Sequence, residues 1–321
     1  MTPITLDAVR EAAKCIEPYA HRTPVMTCAA LDERAGRRLF FKCENFQKIG
    51  AFKFRGACNA VMKLADDVAG RGVVTHSSGN HAQALALAAK LRGIEAHIVM
   101  PSTASPVKRA AVEGYGGKVY VCEPNETARQ QRAEELVAET GGTLIPPFDH
   151  PHVIAGQGTA TLELLDEVGT LDAIVAPIGG GGLMSGTCIA GRGMKPGVRL
   201  FGAEPTGADD AARSLAAGEL IPQTNPNTIC DGLLTSMGEL TWPIIRDHVE
   251  AIFTVSDEQV IEAMRLVMQR MKIVIEPSAA VAVAAVLSDE FKSLPLDASS
   301  TSVGVGVIIS GGNVDLDHLP W

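Results

Sequence analysis

Short, uninterrupted runs rich in Val, Ile and Ala alternate with helical stretches along most of the chain, and that alternation leaves few folds open. A strand with one wet face shows apolar and polar residues in turn. A strand buried on both faces reads as a continuous apolar run. Runs of the second kind predict strands at 72–75, 95–100, 118–121, 172–177, 199–203 and 303–309. Helical patterns fall between them at 82–91, 105–113, 126–139, 153–167, 257–271 and 278–287. The expectation is α/β: parallel sheet covered by helices on both faces. A strand, a glycine-bearing loop and a helix follow one another twice, near 73–90 and 172–193. That fits two open parallel-sheet domains with ligand loops at the carboxyl ends of strands. A length of 321 residues agrees with about two domains. Pro146-Pro147 and the loop before Lys53 are candidate crossings between them.

Charge and cysteine usage narrow the function classes. The formal net charge is −9 and no Lys/Arg-rich block occurs, which argues against nucleic acid. No apolar run approaches the roughly 18 residues of a membrane span, so no membrane partner is expected. The first residues carry no basic stretch followed by an apolar one, so no secretory leader is expected. Seven cysteines, with no C-x-x-C pair, read as reduced, buried thiols of a cytoplasmic protein.

Five local features carry chemistry. Pro177-Ile-Gly-Gly-Gly-Gly-Leu-Met-Ser-Gly186 follows a strand and opens a helix. Gly179, Gly180, Gly181 and Gly182 let amide groups converge on an anion at a helix N-terminus, and a phosphate is the natural guest. The pattern is neither G-x-x-x-x-G-K-[ST] nor a G-x-G-x-x-G at the first βα turn, which counts against nucleotide hydrolysis and nicotinamide binding. Thr75-His-Ser-Ser-Gly-Asn-His81 also joins strand to helix. It is either a helix cap by Ser78 or Asn80 or a loop that holds a carboxylate or ring hydroxyl. Glu204 and Asp210 place carboxylates after a strand, as a solvated acidic turn or a hard-cation site. Ser310 stands where an apolar strand runs into a glycine turn. Lys53 sits between Phe52 and Phe54 with no acidic neighbour. A lysine in apolar surroundings has a lowered pKa, which favours the neutral amine that forms Schiff bases. An amine, a phosphate cradle and a polar loop together suit a ligand with an aldehyde and a phosphate, pyridoxal phosphate.

At this point the chain resembles a known family, the fold type II pyridoxal phosphate enzymes of the serine racemase and serine/threonine dehydratase branch. The resemblance runs through Arg22-Thr-Pro24, Phe41-Lys-Cys-Glu-Asn-Phe-Gln47, Gly50-Ala-Phe-Lys-Phe-Arg-Gly56, His76-Ser-Ser-Gly-Asn-His81 and Val153-Ile-Ala-Gly-Gln-Gly-Thr159. It continues through the tetraglycine loop, Glu204-Pro205 and Ser310-Gly-Gly-Asn-Val-Asp315. It implies a cofactor cleft between a large domain, 1–65 with 148–321, and a small mobile domain, 66–147. It also implies a homodimer.

The resemblance assigns roles residue by residue. Lys53 is similar to the Schiff-base lysine that also takes the Cα proton, and Phe52 to the residue beside the cofactor ring. Gly179 to Gly182 resemble the phosphate loop, Asn80 the ligand of the 3-hydroxyl and Ser310 the partner of the pyridine nitrogen. A neutral hydroxyl there makes the ring a weaker electron sink than a carboxylate would. Ser77, Ser78, Gly79 and Arg129 resemble the substrate site, with Ser78 as the second acid/base opposite Lys53. Glu204, the Ala208 carbonyl and Asp210 resemble a Mg2+ (or Ca2+ or Mn2+) site. Gln83, Tyr115 and Asn313 match part of the site at which animal racemases bind an ATP effector. The implied activity is serine racemisation together with β-elimination from serine or threonine to a 2-oxoacid and ammonia. Phe148 stands where animal racemases carry Asn, and Ala82 where many relatives have Gly. Pro146-Pro-Phe-Asp-His-Pro151 also occurs in similar form in threonine dehydratases and threo-3-hydroxyaspartate ammonia-lyases. A lyase that does not racemise is therefore the alternative reading, and a non-catalytic phosphate- or nucleotide-binding protein the remote one.

Overall fold

The computed structural model describes residues 3–169, 171–296 and 304–321. Its ten strands are β1 Val25–Met26, β2 Arg38–Cys43, β3 Val73–His76, β4 Ala96–Pro101, β5 Lys118–Cys122, β6 Thr143–Leu144, β7 Ala173–Pro177, β8 Arg199–Pro205, β9 Ala251–Val255 and β10 Gly304–Ile309. They form a six-stranded sheet, ordered β1-β2-β10-β7-β8-β9, and a four-stranded sheet, ordered β5-β4-β3-β6. The smaller sheet is parallel throughout. In the larger, β1 runs antiparallel to β2 and every other pair is parallel. The α/β expectation holds, with one antiparallel edge that the sequence pattern did not indicate.

Burial on both faces explains the continuous apolar runs. In β7, Ala173 and Val175 enter the core under the helices Asp257–Met271 and Pro277–Leu287. Ile174 and Ala176, on the opposite face, join Leu164, Met184 and Leu200. In the smaller sheet Val73 and Ile98 face one core, and Val74 and Val99 the other. The predicted strands and helices lie where expected to within a few residues. Residue 303, at the start of the last predicted strand, lies outside the described residues. The sequence reading did not resolve β1, β2, β6 or β9. β1 and β6 have two residues each, and β2 carries a buried Lys42 in a place where the apolar pattern breaks.

Three helices meet backbone to backbone. A Cβ on Gly186, in the helix Gly182–Met194, would come within 2.4 Å of the Gly158 amide nitrogen in the helix Pro151–Val168. A Cβ on Gly156 would lie 2.7 Å from the Arg55 carbonyl in the helix Lys53–Met62. These crossings also enclose a buried ion cluster. Arg55 donates to both oxygens of Glu44 at 2.7 and 2.8 Å and to both of Glu163 at 2.7 and 2.9 Å. Lys42 adds a 2.6 Å contact to Glu163. Arg55, Lys42 and Glu44 are fully buried. All seven cysteines are free thiols; Cys43, Cys58, Cys188 and Cys230 are buried and the other three partly so. Among the described residues no helix is long and apolar enough to cross a membrane.

Removing one partner from a buried ion pair strands the other. Arg55→Met is expected to cost about 3–5 kcal/mol of stability, measured by urea unfolding. A loss below about 1 kcal/mol, the value of an exposed pair, would mean that the cluster is dispensable.

Candidate active site

Lys53 is delivered by a strained turn. Ile49 and Gly50 both have left-handed backbone, with φ of 60° and 72°. For a β-branched residue that geometry is rare and costs roughly 1–3 kcal/mol. Hydrogen bonds impose it. The Asn313 amide group donates to the Ile49 carbonyl at 2.7 Å, and the Gly312 N–H to the Gly50 carbonyl at 2.9 Å. The Phe52 N–H then donates to the Ser310 carbonyl at 2.9 Å, just beyond β10. The helix starts at the next residue, Lys53, so the lysine emerges at the carboxyl ends of the large sheet's strands.

The Lys53 amine donates to the Pro147 carbonyl at 2.9 Å. It lies 5.2 Å from the centre of the Phe52 ring. Burial pulls its pKa down to about 8, against the opposing charge of Glu276. At pH 7 roughly one such amine in ten is neutral, against fewer than one in a thousand for an ordinary lysine.

The glycine loop follows β7. Gly181 takes left-handed backbone (φ 85°) and precedes the helix Gly182–Met194, with no side chain capping it. The first amides of a helix have no partner within it, so this end presents N–H groups. Thr241 Oγ1 donates to the Gly180 carbonyl at 2.9 Å and fixes the loop. No side chain fits here. A Cβ on Gly180 would lie 2.2 Å from the Phe148 ring, and one on Gly181 2.8 Å from Thr241. Phe148 therefore packs directly on the loop. Its neighbour Asp149 accepts from the Leu240 and Thr241 amides at 2.9 and 3.2 Å.

The 75–81 loop joins β3 to the helix Asn80–Arg92. Gly79 takes the capping position, with no side-chain cap, and Ser77 Oγ accepts from the Gly79 N–H at 3.3 Å. The cap by Ser78 or Asn80 considered from sequence is absent. Instead Asn80 reaches across the cleft: its NH2 lies 3.0 and 3.2 Å from the two Glu276 oxygens, and its oxygen accepts from Asn313 at 2.8 Å. Glu276 is 4% exposed, and burial pushes its pKa up to about 7. Sequence reading missed Glu276. Its only signal was a glutamate just before a proline at the start of an apolar helix.

Ser310 is buried where β10 ends, near the Phe52 backbone. Asn313 and Asn80, assigned from sequence to different ligands, belong to one cluster. Gln83 is a turn further along the Asn80–Arg92 helix, and Tyr115 ends the helix Pro106–Gly114. Arg129 lies on the helix Glu126–Thr140, near enough to Cys122 to influence its thiol. Glu204 accepts from the Ala211 and Ala212 amides at 3.2 and 2.8 Å. Asp210 accepts from the Met237 amide through one oxygen, while the other is buried without a partner among the described residues. Burial pushes Glu204 up to about 8 and Asp210 up to about 6. An orphaned carboxylate oxygen beside a second buried carboxyl suits a hard cation. Among the described residues no three His, Cys, Asp or Glu side chains cluster for a metal, so such a site would need main-chain oxygen, as expected for Ala208.

Residues 16–308 match the family model described as "Pyridoxal-phosphate dependent enzyme". The chain is 49% identical to serine racemase of Dictyostelium discoideum, over 99% of this chain and 98% of that one. It is 48% identical to the beta-hydroxyaspartate dehydratase of Paracoccus denitrificans (strain Pd 1222), over 99% and 98%. The solved structure of maize serine racemase superposes with a TM-score of 0.95 at 48% identity, covering 98% of this chain and 95% of that one.

A methyl group on the glycine loop should displace Phe148 or the ligand. Gly180→Ala is expected to raise the half-saturating pyridoxal phosphate concentration at least tenfold, about 1.4 kcal/mol, measured by fluorescence titration of the protein. Unchanged saturation would remove this loop from the phosphate site.

Proposed function

The chain belongs to the pyridoxal-phosphate dependent enzymes, and from that premise we propose that it is a serine racemase that also eliminates water from 3-hydroxy amino acids to give a 2-oxoacid and ammonia. The observation that carries this reading is the placement of the Lys53 amine between the two sheets, 2.9 Å from the Pro147 carbonyl and 5.2 Å from the centre of the Phe52 ring, where burial lowers its pKa. The residues fit the cofactor: a low-pKa amine, a glycine loop that no Cβ could enter, and Asn80 and Ser310 at the cleft. When bound, pyridoxal phosphate supplies a conjugated ring that accepts the electron pair left at Cα.

The chain's own residues divide the remaining work. Gly179 to Gly182 and the helix start would hold the phosphate. Asn80 would hold the ring hydroxyl, with Phe52 beside the ring and Ser310 as the partner of its nitrogen. Ser77, Gly79 and Arg129 bind the substrate carboxylate; for Arg129 that role rests on the resemblance. Lys53 removes the Cα proton from one face. Ser78 returns a proton from the opposite face, which inverts the amino acid. Loss of the 3-hydroxyl as water instead leaves an unsaturated amine, whose hydrolysis gives the 2-oxoacid and ammonia. General acid–base help of this kind contributes roughly 10²–10⁴-fold.

Residues 66–147, which contain the whole smaller sheet, move as a small domain against 1–65 and 148–321. Glu204, the Ala208 carbonyl and Asp210 bind Mg2+, Ca2+ or Mn2+, supported by the orphaned Asp210 oxygen. Gln83, Tyr115 and Asn313 receive an ATP effector, supported by the link from Asn313 to Asn80. The enzyme is a cytoplasmic homodimer, a reading that its free thiols and family resemblance favour.

The deciding assay gives the protein pyridoxal phosphate, Mg2+ and L-serine and measures D-serine and pyruvate together. Both products are expected. Pyruvate alone would favour a lyase, with threonine and hydroxyaspartate as the next substrates, and the relative from Paracoccus gives that second reading its weight. Ser78→Ala is expected to lower racemisation by roughly 10²-fold or more while sparing elimination from one enantiomer; equal loss of both would refute its role. Mg2+ at 100 times its Kd should stabilise the protein by about 2.7 kcal/mol, seen as a raised Tm that Asp210→Ala abolishes. A Tm indifferent to Mg2+, Ca2+ and Mn2+ would remove the metal from this site.

A further inference from the structure

We propose that His81 is a positioning residue: through Ile145 it clamps the Pro146-Pro147 segment so that the Pro147 carbonyl orients the free amine of Lys53. The inference rests on the reading of Lys53 as the amine that takes the cofactor. The Pro147 carbonyl, 2.9 Å from the amine, is the hydrogen-bond partner that the structure gives Lys53. The position of that carbonyl is set upstream. β6 pairs with β3 through Val73–Thr143 and Val74–Leu144. The Ile145 N–H continues the ladder to the Val74 carbonyl at 2.9 Å, and the Ile145 carbonyl is held by His81 Nε2 at 3.0 Å. Pro146 and Pro147 follow, with φ fixed by their rings and no N–H to be drawn elsewhere. Both peptide groups of Ile145 are thus anchored, and a stiff two-residue arm carries that anchoring to Lys53.

His81 is suited to this and to little else. Only 2% of it is exposed. Burial holds its pKa down to about 3, and the neighbouring charges of Lys53, His76 and His150 act in the same direction. The ring is therefore neutral and has one N–H. The Ile145 carbonyl requires that proton on Nε2, which leaves Nδ1 as an acceptor, buried and without a hydrogen-bond partner among the described residues. A residue needed only to fill space would not carry an unsatisfied ring nitrogen. The groups that face Lys53 are Glu276 from the large sheet's side and His81 from the small domain, with His76 and His150 facing His81. A carbonyl accepts from a neutral amine and binds an ammonium more strongly. The arm therefore aims the Lys53 lone pair when the amine is neutral and steadies the proton once Lys53 has taken it.

The test follows the reaction of pyridoxal phosphate with Lys53 in the full-length protein stripped of cofactor, by the rise of yellow absorbance as a function of pH. For the unaltered protein the rate should rise through a midpoint near 8. His81→Leu removes the N–H; its plateau rate should fall roughly ten- to hundredfold through misplacement of the amine, and its midpoint should move below that of the unaltered protein. His81→Gln places an amide N–H where Nε2 was and should restore both. Pro147→Ala keeps the carbonyl but loosens the arm. It should show a smaller drop in the same direction, and it keeps the proposal testable if His81→Leu does not fold. Rates and midpoints unchanged in His81→Leu, or unchanged in Pro147→Ala where His81→Leu does not fold, would overturn the clamp. An unaltered protein that forms no coloured adduct would overturn the reading of Lys53 on which the clamp rests.

Discussion

The cleft depends on a neutral quartet of charges buried behind it. Arg55 and Lys42 face Glu44 and Glu163, and together they join β2, the helix that begins at Lys53 and the helix Pro151–Val168. Burial alone would push Glu163 up, but Arg55 and Lys42 outweigh it and hold the carboxyl below its usual range. For Lys42 burial outweighs both glutamates, and its pKa falls. A buried pair adds little net stability compared with apolar residues of the same shape. What this cluster adds is geometry: Arg55 is two residues from Lys53, and its guanidinium is held on both sides. Thr159, also on the Pro151–Val168 helix, takes a further Arg55 N–H at 3.1 Å.

In front of the cluster, the cleft is closed by contacts between segments far apart in sequence. Asn313 touches the turn at Ile49 and the side chain of Asn80, while Glu276 accepts from Asn80 and from the Asn313 N–H. One buried carboxyl thus joins the small sheet's ligand loop to the strained turn that delivers Lys53. Lys108, on the small-sheet side, also meets Asp231 on the large-sheet side at 2.6 Å, at an exposed position. Exposed pairs of this kind contribute about 0–1 kcal/mol, so it adds little to the buried contacts between the two sides.

Much of the fold was legible because burial on both faces writes itself into sequence as continuous apolar runs, as in Ala173–Pro177 and Gly304–Ile309. Lys53 and the tetraglycine loop stood out in the sequence because their residue types are unusual for their surroundings. The rest depended on tertiary partners. β2 was missed because Lys42, polar in sequence, is buried against Glu163. Glu276 was missed because its donors lie at 80 and 313. The cap suggested for Ser78 or Asn80 was a sound local inference, but Gly79 took that position and left the Asn80 side chain for Glu276 and Asn313. Pro146-Pro147 stood out as a crossing between domains, but the contact of the Pro147 carbonyl with Lys53 could not be read, because a backbone carbonyl has no sequence signature.

The most direct measurement is borohydride reduction of the protein with pyridoxal phosphate, followed by peptide mass analysis. One cofactor per chain, fixed to the peptide that contains Lys53, is the expected result. A protein left unlabelled, or labelled at another lysine, would contradict the account at its centre.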